Sequence, residues 1–271
     1  MTKKRGVATD RELRPIAFAS RVLILVGLLC GLAAIAAQAD EPKAEPKPLV
    51  KMSTPIGLAT GSTTKLIVRG LLLDEASEVR VQGSPLALKI LSKGKAPLPA
   101  NTDPKILGDT QVEIEATAPA DLAPGEVKFT LVTPKGESAP HSLLVVAKDK
   151  LVANREPNGG FRDAQPIEPG QVIEGVVEQA RNVNVYRLEL AGGKKLSAEV
   201  LAARYGSALD PLLSLYDSRG RLLASEDDTV GTDPRLELTI AESGTYYLVL
   251  VDALDQGGPT HPFQLITRVA E

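Results

Sequence analysis

Between residues 64 and 268 the chain is a series of short runs rich in β-branched and aliphatic residues, each closed by Gly, Pro, Asn or Asp. A half-buried strand places apolar side chains at every second position, and that pattern is what these runs carry. It is clearest at Gln111-Val112-Glu113-Ile114-Glu115-Ala116, where Val112, Ile114 and Ala116 share one face and the carboxylates the other. Further runs fall at residues 64–68, 79–81, 127–131 and 143–146, with Ala123-Pro124-Gly125 and Thr133-Pro134-Lys135-Gly136 as turns. The grammar repeats at residues 171–177, 184–190, 196–202, 212–216, 221–224, 235–240, 245–251 and 262–268.

This predicts an all-β chain of two tandem β-sandwich domains, immunoglobulin-like over residues 49–149 and jelly-roll-like over 150–271. The break falls where a strand-like run ends at Lys148-Asp149-Lys150 and a charged stretch rich in Asn, Pro and Gly begins. Phe129 is the one aromatic residue between Asp40 and Lys150, so the first core is expected to be aliphatic. Residues 93–103, with two prolines and an Asn, read as a long loop. Asp217-Ser218-Arg219-Gly220 reads as a hairpin turn, since Gly accepts the left-handed conformation. Tyr246-Tyr247 inside a strand places one ring in the core and one outside.

Residues 1–39 have the three parts of a signal peptide. Lys3, Lys4, Arg5, Arg11, Arg14 and Arg21 precede the apolar run of residues 22–37, and Ala37-Gln38-Ala39 supplies a cleavage site. The alternative is an uncleaved anchor, the run being a little short of the roughly 20 residues of a spanning helix. Cys30 follows Leu29, which does not suit lipidation, and it is the only cysteine. After cleavage no thiol remains, so no disulfide framework and no cysteine nucleophile are expected in this secreted or periplasmic chain. Residues 40–48, made of Pro, Lys, Glu and Ala with little else, form a solvated tether.

The leader holds six basic and two acidic groups of the 31 and 34 in the chain, leaving 25 against 32 and a net charge of −7. No Lys/Arg-rich run follows it, which excludes a nucleic-acid footprint. With no Trp and nine Tyr plus Phe, the composition also argues against the flat aromatic platform of a sugar-binding site. Catalytic signals are missing as well. His141 and His261 each lie beside a proline and read as surface or boundary residues; no Gly-x-Ser-x-Gly, His-Glu-x-x-His or glycine-rich phosphate loop is present. Ser142 and Ser207 are the serines left for a spatially assembled triad, but no base or orienting group is signalled for either. The chain is expected not to be an enzyme.

A set of short motifs carries a family resemblance. Glu156-Pro157-Asn158 is followed by Ala164-Gln165-Pro166-Ile167, Gly175-Val176-Val177 and Val185-Tyr186-Arg187-Leu188. Then come Leu209-Asp210-Pro211-Leu212, Tyr216-Asp217-Ser218-Arg219-Gly220, Ala224-Ser225-Glu226-Asp227-Asp228 and Gly244-Thr245-Tyr246-Tyr247. In this order, residues 154–269 resemble the bacterial pre-peptidase C-terminal domain. The signals at Gly61, Gly70-Leu71-Leu72, Pro124-Gly125-Glu126 and Pro134-Lys135-Gly136 resemble the immunoglobulin-like modules often placed ahead of it. The resemblance implies a jelly-roll-like accessory domain of secreted proteins, similar to the collagen-binding modules of bacterial collagenases and found with or without a peptidase domain.

For some members the resemblance implies a calcium site, built from a Glu-x-Glu-Pro-Asn linker and an Asp-x-Asp pair ahead of an aromatic strand. The matching positions here are Asn154, Glu156 and Asn158, with Asn182 and Asn184 before Tyr186. Calcium takes six to eight oxygens, several of them charged, and only Glu156 is charged here, so binding is expected to be weak or absent. A second acidic set comprises Asp210, Asp217, Glu226, Asp227, Asp228 and Asp233. Asp227, Asp228 and Asp233 share one polar stretch and either converge on a cation or serve turns and solvent; the spacing is not that of a calcium loop.

Two functions follow. One is a secreted, non-catalytic binding or structural protein that presents its sandwiches to an extracellular or cell-envelope protein or polymer. The other is an accessory subunit or truncated relative of a secreted peptidase. Arg204-Tyr205-Gly206-Ser207, with the stretch 226–233, is the expected contact surface, led by Arg204 and Tyr205.

Overall fold

The computed structural model describes residues 46–98 and 104–270. The leader, Cys30, the cleavage after Ala39, residues 40–45 of the tether and residues 99–103 of the expected loop lie outside the described residues. Among those described, no helix is long and apolar enough to cross a membrane.

The first half contains β1 (Leu49–Thr54), β2 (Gly57–Ala59), β3 (Ser62–Leu71), β4 (Glu78–Gln82) and β5 (Ala87–Lys95), a single helical turn α1 (Pro104–Leu107), then β6 (Thr110–Ala118), β7 (Gly125–Thr133), β8 (Gly136–Glu137) and β9 (His141–Val146). They form two sheets, β1-β3-β6-β5 and β2-β9-β7-β4, with β8 paired to β7. The period of two along β6 buries Val112, Ile114, Ala116 and Ala118. These meet Leu66, Val68, Phe129, Leu131 and Leu143 in a core with one aromatic ring. Strand β5 runs through Lys95, where composition suggested loop. Lys93, Gly94 and Lys95 pair with Val112, Gln111 and Thr110, and lysines suit an edge strand because they discourage further pairing.

The second half contains β10 (Leu151–Ala153), β11 (Gln165–Pro166), β12 (Val172–Val176), β13 (Val183–Leu190) and β14 (Lys195–Leu201), a 3₁₀ turn at Ala203–Tyr205, then β15 (Pro211–Asp217), β16 (Leu222–Glu226), β17 (Arg235–Thr239), β18 (Gly244–Asp252) and β19 (Pro262–Ala270). The sheets are β10-β12-β19-β14-β17 and β11-β13-β18-β15-β16. Between them lies a second, separate core that includes Ile173, Tyr186, Leu188, Leu196, Leu213, Leu248, Leu250, Phe263 and Leu265. Each fully buried aliphatic side chain contributes about 1.5–3 kcal/mol relative to exposure. The architecture is all-β, two sandwiches each with its own core.

The sandwiches meet along a close seam. Glu174 on β12 borders a cleft that Thr54 and Pro55 of the first sandwich also line, and its two oxygens reach into that sandwich: Oε1 accepts from Ile56 N at 2.8 Å and Oε2 from Gly57 N at 3.0 Å. The same Oε2 accepts from Gln264 Nε2 at 2.7 Å. A side chain at Gly57 would collide with Gln264, and one at Gly206 with the carbonyl of Lys51. Glycine is therefore required at 206, where the clash is with backbone and φ is 82°, while at 57 it leaves room for the end of the Gln264 side chain.

Of the two histidines, His261 sits inside and not at the surface, while His141 is half-buried at a boundary. His261 is buried beside Thr260, its Nδ1 3.3 Å from Thr260 Oγ1. His141 packs edge-on against Phe129 at 5.5 Å, with Nε2 3.3 Å from Ser53 Oγ. The short runs that precede each histidine gave no hint of what covers it.

Enclosure at the seam raises the Glu174 carboxyl from 4.5 to about 8, against the pull of three N–H donors. Between those values the unfolded chain is ionised and the folded one is not, so this contribution to stability is whole below 4.5 and is lost as pH rises to about 8. Burial lowers His141 from 6.5 to about 4 and lowers His261 too. These neutral rings cost stability as pH falls below 6.5. The thermal midpoint is expected to rise as pH is lowered from 8 to 6.5 and to level off or fall below that. In Glu174→Gln the slope above 6.5 should vanish; a slope equal to that of the parent would contradict the seam carboxyl as its source.

Candidate functional site

The outward face of the sheet β11-β13-β18-β15-β16 carries an aromatic patch. Strand register sets one row across all five strands: Pro166 pairs with Arg187, Arg187 with Tyr247, Tyr247 with Tyr216, and Tyr216 with Leu222. Directly paired residues share a face. The neighbours Tyr186, Leu248, Tyr246 and Leu215 point the other way, into the core. At the edge the register slips between Leu215 and Tyr216, leaving Leu222 and Leu223 both opposite Tyr216. This bulge leaves both leucines outward, 55% and 36% exposed.

Phe161 completes the patch from the loop between β10 and β11. Its ring stacks on Tyr247 with centroids 4.4 Å apart and planes 7° from parallel, and tilts against Tyr216 at 5.6 Å. The ring remains 37% exposed. Gly220, at φ 76°, closes the β15–β16 turn beneath it, and a Cβ there would lie 3.7 Å from the Phe161 ring. The turn is held by Asp217, whose Oδ1 accepts from Arg219 N and Arg221 N at 2.9 Å each. The backbone N–H groups, then the Arg221 side chain, keep the Asp217 carboxyl below the usual range. Arg162, Arg187, Arg219 and Arg221 are all exposed around the rings. Three of the nine Phe and Tyr thus gather on one open face. Composition argued against a flat aromatic platform; the fold leaves one such ring open, Phe161, laid over Tyr247 and against Tyr216.

The positions matched to the family's calcium site are brought together, but as hydrogen-bond partners of one another. Asn154 Nδ2 donates to Asn184 Oδ1 at 2.9 Å, Asn158 Nδ2 to Asn154 Oδ1 at 3.0 Å, and the Tyr186 hydroxyl to the same oxygen at 2.9 Å. Asn182 Nδ2 donates to Glu156 Oε1. Burial, then the charge of Glu156, pushes the Tyr186 hydroxyl well above its ordinary range, so it stays a donor. Asn158 Oδ1 and Asn184 Nδ2 are buried without a partner. One formal charge, with the Asn154 and Asn184 oxygens already accepting N–H or O–H groups, does not fit the demands of calcium. Among the described residues no group of three or more His, Cys, Asp or Glu is arranged to hold a metal.

Asp233 stands apart from Asp227 and Asp228. Those two are exposed, while Asp233 is wholly buried and accepts from Ala202 N, Ala203 N and Arg204 N at 3.1, 2.8 and 3.3 Å and from Arg204 Nε at 2.8 Å. Arg204 also bonds Glu199 at 2.7 Å, and Arg235 holds the other Glu199 oxygen at 2.8 Å. Burial opposes ionisation of Glu199, but the two guanidinium groups outweigh it and hold its carboxyl below the usual range. Burial, then Asp228, Asp252 and Asp227, push Asp210 up. Arg204 is therefore an anchor for the 3₁₀ turn. Tyr205 is half-buried, lining a seam cleft of about 320 Å³ with Lys51, His141 and Ser142. Ser142 Oγ donates to Glu126 and Ser207 Oγ to the carbonyl of Thr260. The serine found beside a histidine is the buried Ser53, with no carboxylate on the ring.

No family model matches the chain. Over 96 residues, 34% of its length, it is 32% identical to a probable subtilase-type serine protease of Deinococcus radiodurans, and it spans 13% of that relative's length. Among solved structures, the pre-peptidase C-terminal domain of a Bacillus anthracis collagenase aligns with 39% of this chain and 94% of its own at 19% identity and a TM-score of 0.32. The periplasmic g-type lysozyme inhibitor PliG of Aeromonas hydrophila aligns with 45% of this chain and 98% of its own at 11% identity and a TM-score of 0.32.

Two outcomes are expected. Asp233→Ala, which leaves three N–H groups without their acceptor while Arg204 keeps Glu199, should lower unfolding free energy by about 2–3 kcal/mol in urea titration; a loss under about 1 kcal/mol would contradict the anchoring role. Millimolar calcium should leave the thermal midpoint unmoved, whereas a rise abolished by Glu156→Gln would establish a linker site.

Proposed function

We propose that the chain is an exported, non-catalytic binding protein that docks on an extracellular or cell-envelope partner through the outward face of Phe161, Tyr247 and Tyr216. The observation that carries this reading is the cross-strand row from Pro166 to Leu222, with Phe161 stacked on it. Aromatic and arginine side chains provide large contact energy at interfaces, and this face concentrates both in a chain poor in aromatic residues. Export rests on the leader of residues 1–39, and the residual charge of −7 speaks against nucleic acid as partner. Contact of the membrane itself is confined to the case in which the leader stays uncleaved.

The local identity to a subtilase-type protease favours a second reading, in which the chain assists a secreted peptidase in substrate binding or folding. Pull-down from culture medium and envelope fractions separates the two: recovery of a peptidase in constant ratio supports the second, retention on envelope material without one the first. Under either reading Phe161→Ala with Tyr247→Ser, in protein that keeps a cooperative thermal transition, should reduce capture about tenfold or more. Equal capture by that variant would contradict this face as the contact. Cleavage of casein by substoichiometric protein would overturn the non-catalytic reading.

A further inference from the structure

The patch differs from an ordinary apolar protein contact in shape and in charge. It is a stripe running four inter-strand steps of about 4.8 Å, roughly 19 Å in all. Its centre is the Phe161 ring, lying 7° from parallel with Tyr247 and partly open to solvent. Protein hot spots are usually side chains seated in pockets, whereas Phe161 stands out from the sheet with 37% of its surface exposed. A flat ring face at the surface suits another flat face, such as the C–H side of a pyranose.

The charge is the second observation. The segment after the leader is net acidic, yet Arg162 adjoins Phe161, Arg187 pairs directly with Tyr247, and Arg219 and Arg221 flank the glycine beneath the Phe161 ring. Of these, Arg221 is engaged by Asp217 at 2.7 Å while its side chain stays 68% exposed. Arg162, Arg187 and Arg219 have no carboxylate partner among the described residues. The acidic groups nearby are Asp163, beside Arg162, and Glu189, which is on the Arg187 face and is bonded to Thr245 Oγ1 at 2.9 Å. Three unpaired guanidinium forks around stacked rings call for planar anions repeated along a chain of rings.

We propose that this face binds an acidic polysaccharide, with a sugar ring stacked on the open side of Phe161, which Tyr247 and Tyr216 hold in place from beneath, and the anionic substituents held by Arg162, Arg187 and Arg219. The assignment rests on the reading that this face is the binding surface, and it names the chemistry of the partner.

The test is affinity electrophoresis of the protein in gels containing polygalacturonate, its fully methyl-esterified form, or polyglutamate. Polygalacturonate should retard the protein, with affinity falling about tenfold for loss of each arginine in Arg187→Ala and Arg219→Ala. Phe161→Ala should weaken it comparably, and the ester and polyglutamate should retard it far less. All three positions are solvent-facing, and an unchanged thermal midpoint verifies that each variant is folded. No retardation by polygalacturonate, equal retardation by polyglutamate, or equal retardation of parent and variants would each overturn the assignment. If polygalacturonate fails while envelope capture still depends on Phe161 and Tyr247, the glycan assignment falls and the binding face stands. If capture is indifferent to them as well, both fall.

Discussion

Strand β18, Gly244–Asp252, sends alternate side chains to opposite faces, and both the core and the candidate binding face of the second sandwich depend on that alternation. Tyr246, Leu248 and Leu250 go inward, while Tyr247, Val249 and Val251 go outward. Its register with β13 and β15 then fixes which outward residues lie side by side. A slip of one residue would bury Tyr247 and expose Leu248, so the core that resists such a slip also holds the aromatic row in line.

With no disulfide to staple it, the fold relies on enclosed polar anchors where the chain is irregular. Asp233 gathers the N–H groups of a turn that no neighbouring strand satisfies, and Arg204 neutralises it. Asn154, Asn158, Asn184 and Tyr186 tie the segment joining the two sandwiches to strand β13 by hydrogen bonds between side chains. Glu174 satisfies Ile56 and Gly57 across the seam. Asp233 is the most completely matched of them, wholly buried with every donor it meets bonded, which makes its loss more costly than its presence is stabilising. The loop bearing Phe161 leaves this amide cluster directly, so the position of the ring on Tyr247 follows from the same anchors.

The strands with β-branched alternation were legible in the sequence, as were the Asp217–Gly220 turn and the split of Tyr246 from Tyr247. Strands β1 and β5 were not: Lys51 and Lys93 interrupt the apolar count, and the pairing with β3 and β6 supplies the order instead. Phe161 sits in a loop with no periodicity, and only the register of three distant strands shows what it covers. Glu174 alternates as an outward residue should, but the surface it faces is the other sandwich. Asp233 looked equivalent to Asp227 and Asp228 because sequence proximity says nothing of burial. The amides at 154, 182 and 184 were legible as a loss of charge, and the structure adds that two of them, Asn154 and Asn184, hydrogen-bond to each other.

The central claim is that recognition occurs on the outward face and not at the seam. Its most direct measurement is an NMR titration of the labelled protein with the captured partner or with polygalacturonate, following the rings of Phe161, Tyr216 and Tyr247 and the Arg187 side chain. The account predicts shifts concentrated on those four residues and absent from Tyr205 and His141. Shifts confined to Tyr205 and His141, with the Phe161–Tyr247 rings unmoved, would contradict it.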